Sequence, residues 1–577
     1  MVHHTITIAV WIRSQLTDNI DRSGSETGRR LKVVRTLVLL CLRKVALTLL
    51  FWMSEVLKAA KFLLSIIYFS LIDLGFTVYN AFIEKKTVSK PKDPILLLSA
   101  CQLIVALKAK ELKSVDIIKA YINRIDEVNK IINAVVAKNY AEALALAQKC
   151  DEELEEVEAN SEDMDKIYVS KPLFGLPYTV KDSMEIEGHN VTAGIAARIG
   201  IISKQTTTAL LNLNKAGAIL LARTNVPEMC LWMESSNTIY GRTNNPYDSR
   251  RGVGGSSGGE GAIIAAAGSV IGIGSDIGGS IRIPSVFNGV FGLKPTQNMV
   301  PCDRYIPEQM TEGGLRRELA VTGPLCRYAE DLPLMLKALA PEAYKDMKID
   351  QSLKLEDLQV YYIPHLDGYD KEPVDGEIVN RLYDVVRFLE TEAGMRSERV
   401  HFPEMDNIFS IWMAAMDAPG YPKIAELATN RQYKLDLFLE LLKAFSGCSQ
   451  HTVAAICAAI SEVYLPFNAE GRENLLSDLR KLRSKVHKML TNNDVLIFPG
   501  WNTPAPYHSK PLLTPFNVSY TNIWNVMSTP VVAVPLGLNS DGLPIACQVV
   551  GAPNSERVLI SVARKLEDKF GGWVPPE

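Results

Sequence analysis

The stretch from Gly252 to Pro295 most constrains this fold, because it sets two serines, Ser256 and Ser280, in two separate glycine clusters, GGSSGGEG and GIGSDIGGS. Glycine at this density serves a backbone that turns through positive φ or is closely approached by other backbone. Such a stretch also exposes successive amide N–H groups, which suit the binding of a developing anion. Ser256 and Ser280 are read as working together there, with Lys181 upstream as their base.

Three motif readings compete for these glycines. A phosphate-binding P-loop needs a lysine-serine end that is missing, and GIGSDIG places three residues where the dinucleotide fingerprint needs two before its last glycine. The segment Gly254 to Gly258 matches G-x-S-x-G, the nucleophile elbow of serine esterases, with His365 or His508 available to complete a triad. An elbow follows an apolar strand, however, and NNPYDSRRGV is a polar turn. The third reading uses both serines and the lysine. Amide hydrolysis needs an activated nucleophile, a proton for the leaving amine and donors for the tetrahedral oxyanion. A desolvated Lys181 with a lowered pKa takes a proton from Ser280 through Ser256 and returns it to the leaving nitrogen, without histidine. The amides of Ile277, Gly278, Gly279 and Ser280 would form the anion hole.

Composition narrows the rest. A net charge of -3 over 577 residues gives no electrostatic reason to expect nucleic acid. Nine scattered cysteines form no C-x-x-C pair and have no histidine at ligand spacing, so no metal site, cofactor or disulfide framework is expected.

Residues 1–36 lack the apolar content to pack and read as a flexible tail, and residues 37–82 as a membrane-anchoring segment. Within the latter, 62–82 carries only Asp73 as a charge over a length that crosses a bilayer. The run 37–53, interrupted by Arg43 and Lys44, is left open as a separate interfacial helix. Residues 83–93 form a linker and 94–577 a catalytic domain. Ser99 and Ser114 are expected N-caps of amphipathic helices that run to about Cys150, followed by an acidic, solvated stretch from Asp151. Strands and helices then alternate: GLPYTVKD ends a strand at Lys181, TTTALLNLNKAG is a helix stopped by Gly217, and AILLART, LQVYYIP, DVLIFP and VVAVPLG are further strands. The expected fold is α/β, a large mixed, mostly parallel twisted sheet covered by helices on both faces, with an N-terminal membrane helix.

The serine- and glycine-rich stretch, preceded by a strand carrying a lysine, resembles the amidase signature family. The resemblance runs from about Pro94 to the C-terminus and includes TNNPYDSRRGVGGSSGGEG, TGPLCRYAEDLPLMLKAL and GLPIACQVVGAP, which are similar to the family's fatty-acid amide hydrolases. It implies Lys181 as base, Ser256 as bridging serine following a cis peptide bond, Ser280 as nucleophile, and Ile277, Gly278, Gly279 and Ser280 as oxyanion donors. Asp276 is expected to orient the loop by accepting backbone N–H groups, Ser257 to support Ser256, and Arg282 to meet substrate or pair with an acid such as Glu260. Cys230 and Leu231 are pocket candidates by position, as are Trp232 and Met233. The implied partners are a lipid amide substrate and a membrane bilayer, of an endomembrane such as the endoplasmic reticulum or a lipid droplet, with a homodimer left open. A non-lipid amidase or one component of an amidotransferase, a histidine-dependent lipid esterase and a catalytically silent lipid-binding protein are the competing readings.

Overall fold

The structure is a computed structural model that describes residues 57, 59–160, 164–307, 315–349, 351, 353–417, 421–464 and 467–577. The expected tail over 1–36 and the apolar run 37–53 lie outside the described residues. The chain divides into two compact units, Met1–Tyr68 and Phe69–Glu577. Among the described residues one helix, Ala59–Ala81, is long and apolar enough to cross a membrane by length and composition, with a mean hydropathy of 1.8 and only 6% of its most apolar window buried. Within it, Asp73 forms an ion pair with Lys510, which also pairs with Glu372 at 2.6 Å.

Among the described residues thirteen strands follow in chain order. They are β1 (Val135–Lys138), β2 (Pro177–Lys181), β3 (Ile219–Thr224), β4 (Ser236–Asn237), β5 (Gly241–Arg242), β6 (Ile271–Asp276) and β7 (Phe291–Lys294). The remainder are β8 (Val321–Cys326), β9 (Gln359–Tyr362), β10 (Arg396–Arg399), β11 (Asp494–Pro499), β12 (Val531–Leu538) and β13 (Pro544–Gly551). Eleven make one sheet in the order β1-β3-β2-β6-β8-β7-β12-β13-β11-β9-β10, and β4 and β5 pair separately. The sheet is mixed, as expected, but only four of its neighbour pairings are parallel, β2 with β3 and β6, and β9 with β10 and β11. The middle of the sheet, from β6 through β13 to β11, is antiparallel. Connection length is one reason: β12 and β13 are joined by a turn over Asn539 to Leu543, too short for the crossover that parallel neighbours require.

The sheet separates two cores, and alternation along the strands decides which side chain enters which. Val495 and Ile497 of β11, Val532 and Val534 of β12 and Val549 of β13 join one cluster. Leu496, Phe498, Val531, Ala533 and Val550 join the other. Both faces are therefore covered, which is why β2, β8, β11 and β13 are buried throughout.

Ser99 is the N-cap of helix Ala100–Lys108, in a reciprocal capping box with Gln102. Ser114 is not a cap. It is the first residue of helix Ser114–Ile132, and its amide and that of Val115 donate to the carboxylate of Asp151 at 2.6 and 3.0 Å. Its hydroxyl donates to the Gly175 carbonyl at 2.7 Å. A carboxylate from a neighbouring helix has taken the capping role, so Asp151 is a buried structural residue and the helix it belongs to, Tyr140–Ala159, continues well past Cys150.

Candidate active site

The end of β2 places Lys181 in the interior, where its side chain is fully buried. Its Nζ lies 2.9 Å from Ser256 Oγ and 3.0 Å from Ser275 Oγ, the latter on the adjacent parallel strand β6. Burial pushes the Lys181 ammonium below its ordinary range, and the nearby acids Asp276 and Glu260 oppose this only in part. Glu260 is itself buried and its carboxyl is pushed up to about 8 by that burial, against hydrogen bonds from the Thr179 and Thr224 hydroxyls at 2.7 Å each. Burial thus outweighs the charges around Lys181 and favours the neutral amine.

Ser256 precedes helix Gly258–Ala265, and the Gly255–Ser256 peptide bond is cis, as the family resemblance implied. Residue 255 must be glycine, since a Cβ there would overlap the Trp232 carbonyl oxygen. Ser280 sits between β6 and helix Arg282–Asn288, and its carbonyl accepts from the Ser257 amide at 3.1 Å. From Gly252 to Pro295 every residue is buried except Ser275 and Ser280. Both line one small cavity together with Ser256, Cys230, Ile277, Cys302 and Tyr305. It measures about 20 Å³, room for a water or two.

Asp276 organises the loop that carries Ser280. Its carboxylate accepts from the amides of Gly279 at 2.8 Å and Ile281 at 3.1 Å, from Asn525 at 2.9 Å, and from Arg282 Nη2 at 3.0 Å. Burial alone would raise its pKa, but the Arg282 guanidinium and these donors hold the carboxyl well below the usual range. The Gly279 amide is thereby committed to Asp276, whereas those of Ile277, Gly278 and Ser280 have no protein acceptor among the described residues. Three of the four expected oxyanion donors thus remain free for a ligand. Gly279 contributes conformation instead: its φ of +128° and the Thr521 side chain against it exclude any other residue.

Arg282 does not pair with Glu260. Besides Asp276 it donates to Gln548 Oε1 and the Thr521 carbonyl at 2.8 Å and to Asn525 Oδ1 at 2.6 Å, so it is a buried strut with no donor left for a substrate. Asp276, at the end of β6, lies only six residues away across the loop, while Glu260 is taken up by the Thr179 and Thr224 hydroxyls. The Ser257 hydroxyl has no partner among the described residues and makes no hydrogen bond to Ser256, so that residue supports the site only through its backbone. Cys230 lines the cavity, but Leu231 does not; it packs beside the cluster of Val191, Val226 and Met229. Met233 packs in the same core cluster as Ile277, and Trp232 serves through its carbonyl against Gly255.

Neither candidate histidine reaches the serines. His508 Nδ1 is 2.5 Å from Glu234 and its Nε2 3.1 Å from the Ser249 carbonyl, while His365 sits half-exposed beside Asp367 at 3.5 Å. Among the described residues no group of three His, Cys, Asp or Glu side chains converges in a way that holds a metal ion. Ser183, Ser275, Cys302, Tyr305, Ile306 and Ala320 are the cavity residues that sequence reading missed. Only Ser275 carried a usable signal, its place on the strand leading into Asp276, and using it required knowing that β6 pairs with β2.

The sequence model of the Amidase family matches residues 116–560. The chain belongs to the amidase family. This amidase, an amide hydrolase, is 38% identical over 526 residues to fatty-acid amide hydrolase 2 of Homo sapiens, covering 90% of this chain and 97% of that one. It is 28% identical to the A component of the glutamyl-tRNA(Gln) amidotransferase of Carboxydothermus hydrogenoformans, over 82% of this chain and 96% of that one. Among solved structures it is similar to a fatty acid amide hydrolase, with a TM-score of 0.65 and 25% identity over 83% of this chain and 86% of the other.

Proposed function

We propose that this amidase is a membrane-anchored enzyme that hydrolyses fatty-acid amides, both primary amides and N-acylethanolamines, through Lys181, Ser256 and Ser280. The observation that carries this reading is the buried Lys181 Nζ at 2.9 Å from Ser256 Oγ, with Ser280 in the same cavity. Neutral Lys181 accepts the Ser256 proton while Ser256 takes that of Ser280, whose Oγ attacks the amide carbon. The oxyanion is received by the amides of Ile277, Gly278 and Ser280. The protonated lysine returns its proton through Ser256 to the nitrogen, the C–N bond breaks, and the amine departs. Water, deprotonated by the same relay, then cleaves the acyl-serine ester to release the carboxylic acid.

The lipid character of the substrate is supported by two features beyond the similarity to human fatty-acid amide hydrolase 2. Helix Ala59–Ala81 suits a bilayer anchor in length and composition. Helix Leu437–Phe445 exposes Phe438, Leu439, Leu442 and Phe445, an apolar face that suits the headgroup boundary. The alternative suggested by the 28% relative, an amidotransferase component, gives no account of either feature. Anchoring places the catalytic domain where a lipid amide partitions.

The test is Ser280→Ala in the full chain, assayed with oleamide and N-oleoylethanolamine and labelled with a fluorophosphonate probe. Turnover is expected to fall by at least about 10³-fold, with loss of labelling. Retained labelling would remove Ser280 as the nucleophile, and a wild-type enzyme that ignores both lipids while cleaving short amides would remove the lipid reading.

A further inference from the structure

A second cavity of about 540 Å³ adjoins the serine-lysine cavity, and the two share Cys302, Tyr305 and Ile306 as a common wall. The size is that of a small-ligand site. Its lining is unlike an acyl pocket: among the described residues Arg198, Arg304, Arg317 and Arg431 face it, together with Glu185 and Asp303.

Local pairing takes up Asp303 and holds Arg198, and leaves Arg317 open. Asp303 is occupied by Arg304 at 3.0 Å and by the Thr208 amide and hydroxyl at 3.1 and 2.8 Å. Arg198 is fixed in place by the Val191 carbonyl and Asn430 Oδ1, each at 3.2 Å, with Glu185 and Asp182 as the counter-charges that act on it. Arg317, on the short helix Leu315–Leu319, is exposed and its guanidinium has no hydrogen-bond or ion-pair partner among the described residues. A planar guanidinium with open donors at the rim of a polar cavity matches a carboxylate bidentately, and an acyl chain there would gain none of the transfer free energy that a dry apolar groove provides.

We propose that this cavity receives the amine side of the scissile amide and selects substrates whose amine carries an acidic group, N-acyl amino acids above all, with Arg317 as the specificity-determining contact for the carboxylate. The proposal rests on Ser280 as the nucleophile, since the shared wall is what sets the second cavity beside it. Hydrolysis needs only water: the C–N bond breaks, the acyl carbon gains the hydroxyl, and the amino acid leaves with the proton on its nitrogen.

The experiment compares N-oleoylglycine with N-oleoylethanolamine, which share an acyl chain and differ in the charge of the amine portion. The readout is the ratio of their kcat/KM values in the full-length enzyme, in wild type and in Arg317→Glu. The ratio is expected to fall by about tenfold or more on charge reversal, and in wild type to fall as ionic strength rises from about 0.02 M to about 0.5 M, because screening weakens the carboxylate contact. A ratio in Arg317→Glu within about twofold of wild type overturns the proposal, as does a wild-type ratio indifferent to salt. If neither oleoyl amide is hydrolysed, the lipid reading falls, and the same ratio measured on N-acetylglycine and N-acetylethanolamine still decides the charge preference.

Discussion

The stretch from Gly252 to Pro295 and the helical segment from Ile408 to Tyr464 are organised in opposite ways. In the first, burial is complete except at Ser275 and Ser280, and Asp276 alone gathers Gly279, Ile281, Arg282 and Asn525. In the second, helix Leu437–Phe445 turns Phe438 and Phe445 to solvent at 73% and 76% exposure. The two meet where Trp412 Nε1 donates to the Ile277 carbonyl at 2.9 Å, and Glu228, two residues before the cavity-lining Cys230, takes His451 Nδ1 and the Thr452 amide, each at 2.7 Å. Rigid, over-determined packing suits groups that must hold reacting atoms within a fraction of an ångström. A loosely covered apolar surface suits the capture of a lipid, which needs area rather than angle.

Perturbing each region separately tests that division. The largest effect is expected from Lys181→Ala, which should cut kcat/KM by about 10²–10⁴-fold at neutral pH. The base acts when neutral, so the wild-type rate should climb as pH rises through the Lys181 pKa, which burial places below the ordinary lysine value of 10.5. The variant should lose that limb and recover in part only as hydroxide becomes abundant; a pH-rate profile that superimposes on wild type would break the assignment.

Asp276→Ala should come next, with a loss of about 3–5 kcal/mol of stability in denaturant unfolding, because Arg282 would be left buried and unpaired. A smaller loss would mean that Gln548 and the carbonyls already satisfy the guanidinium. The smallest effect is expected in the peripheral region. The double change Phe438→Ser and Phe445→Ser should leave the unfolding midpoint in place, yet weaken binding to phosphatidylcholine vesicles by about threefold to tenfold, as loss of buried apolar area implies. Vesicle binding equal to wild type would show that this face does not meet the bilayer.

Residue types and spacing alone pointed to Lys181, Ser256 and Ser280, because so dense a glycine background leaves few reasons for a serine other than chemistry, and because the residues flanking each serine form a long, specific pattern. The apolar helix was equally legible, since span length and hydropathy are additive properties of a segment. The tertiary structure decided which polar group met which. Arg282 chose Asp276 over Glu260, Asp151 displaced Ser114 as a cap, Ser275 came beside Lys181, and the Gly279 amide was withdrawn from the set facing the cavity. It also left more of the sheet antiparallel than the alternation of strands and helices implied. Local sequence carries conformational preference and chemical type, but a hydrogen bond between residues hundreds of positions apart depends on strand order and register, and these are settled only when the whole sheet assembles.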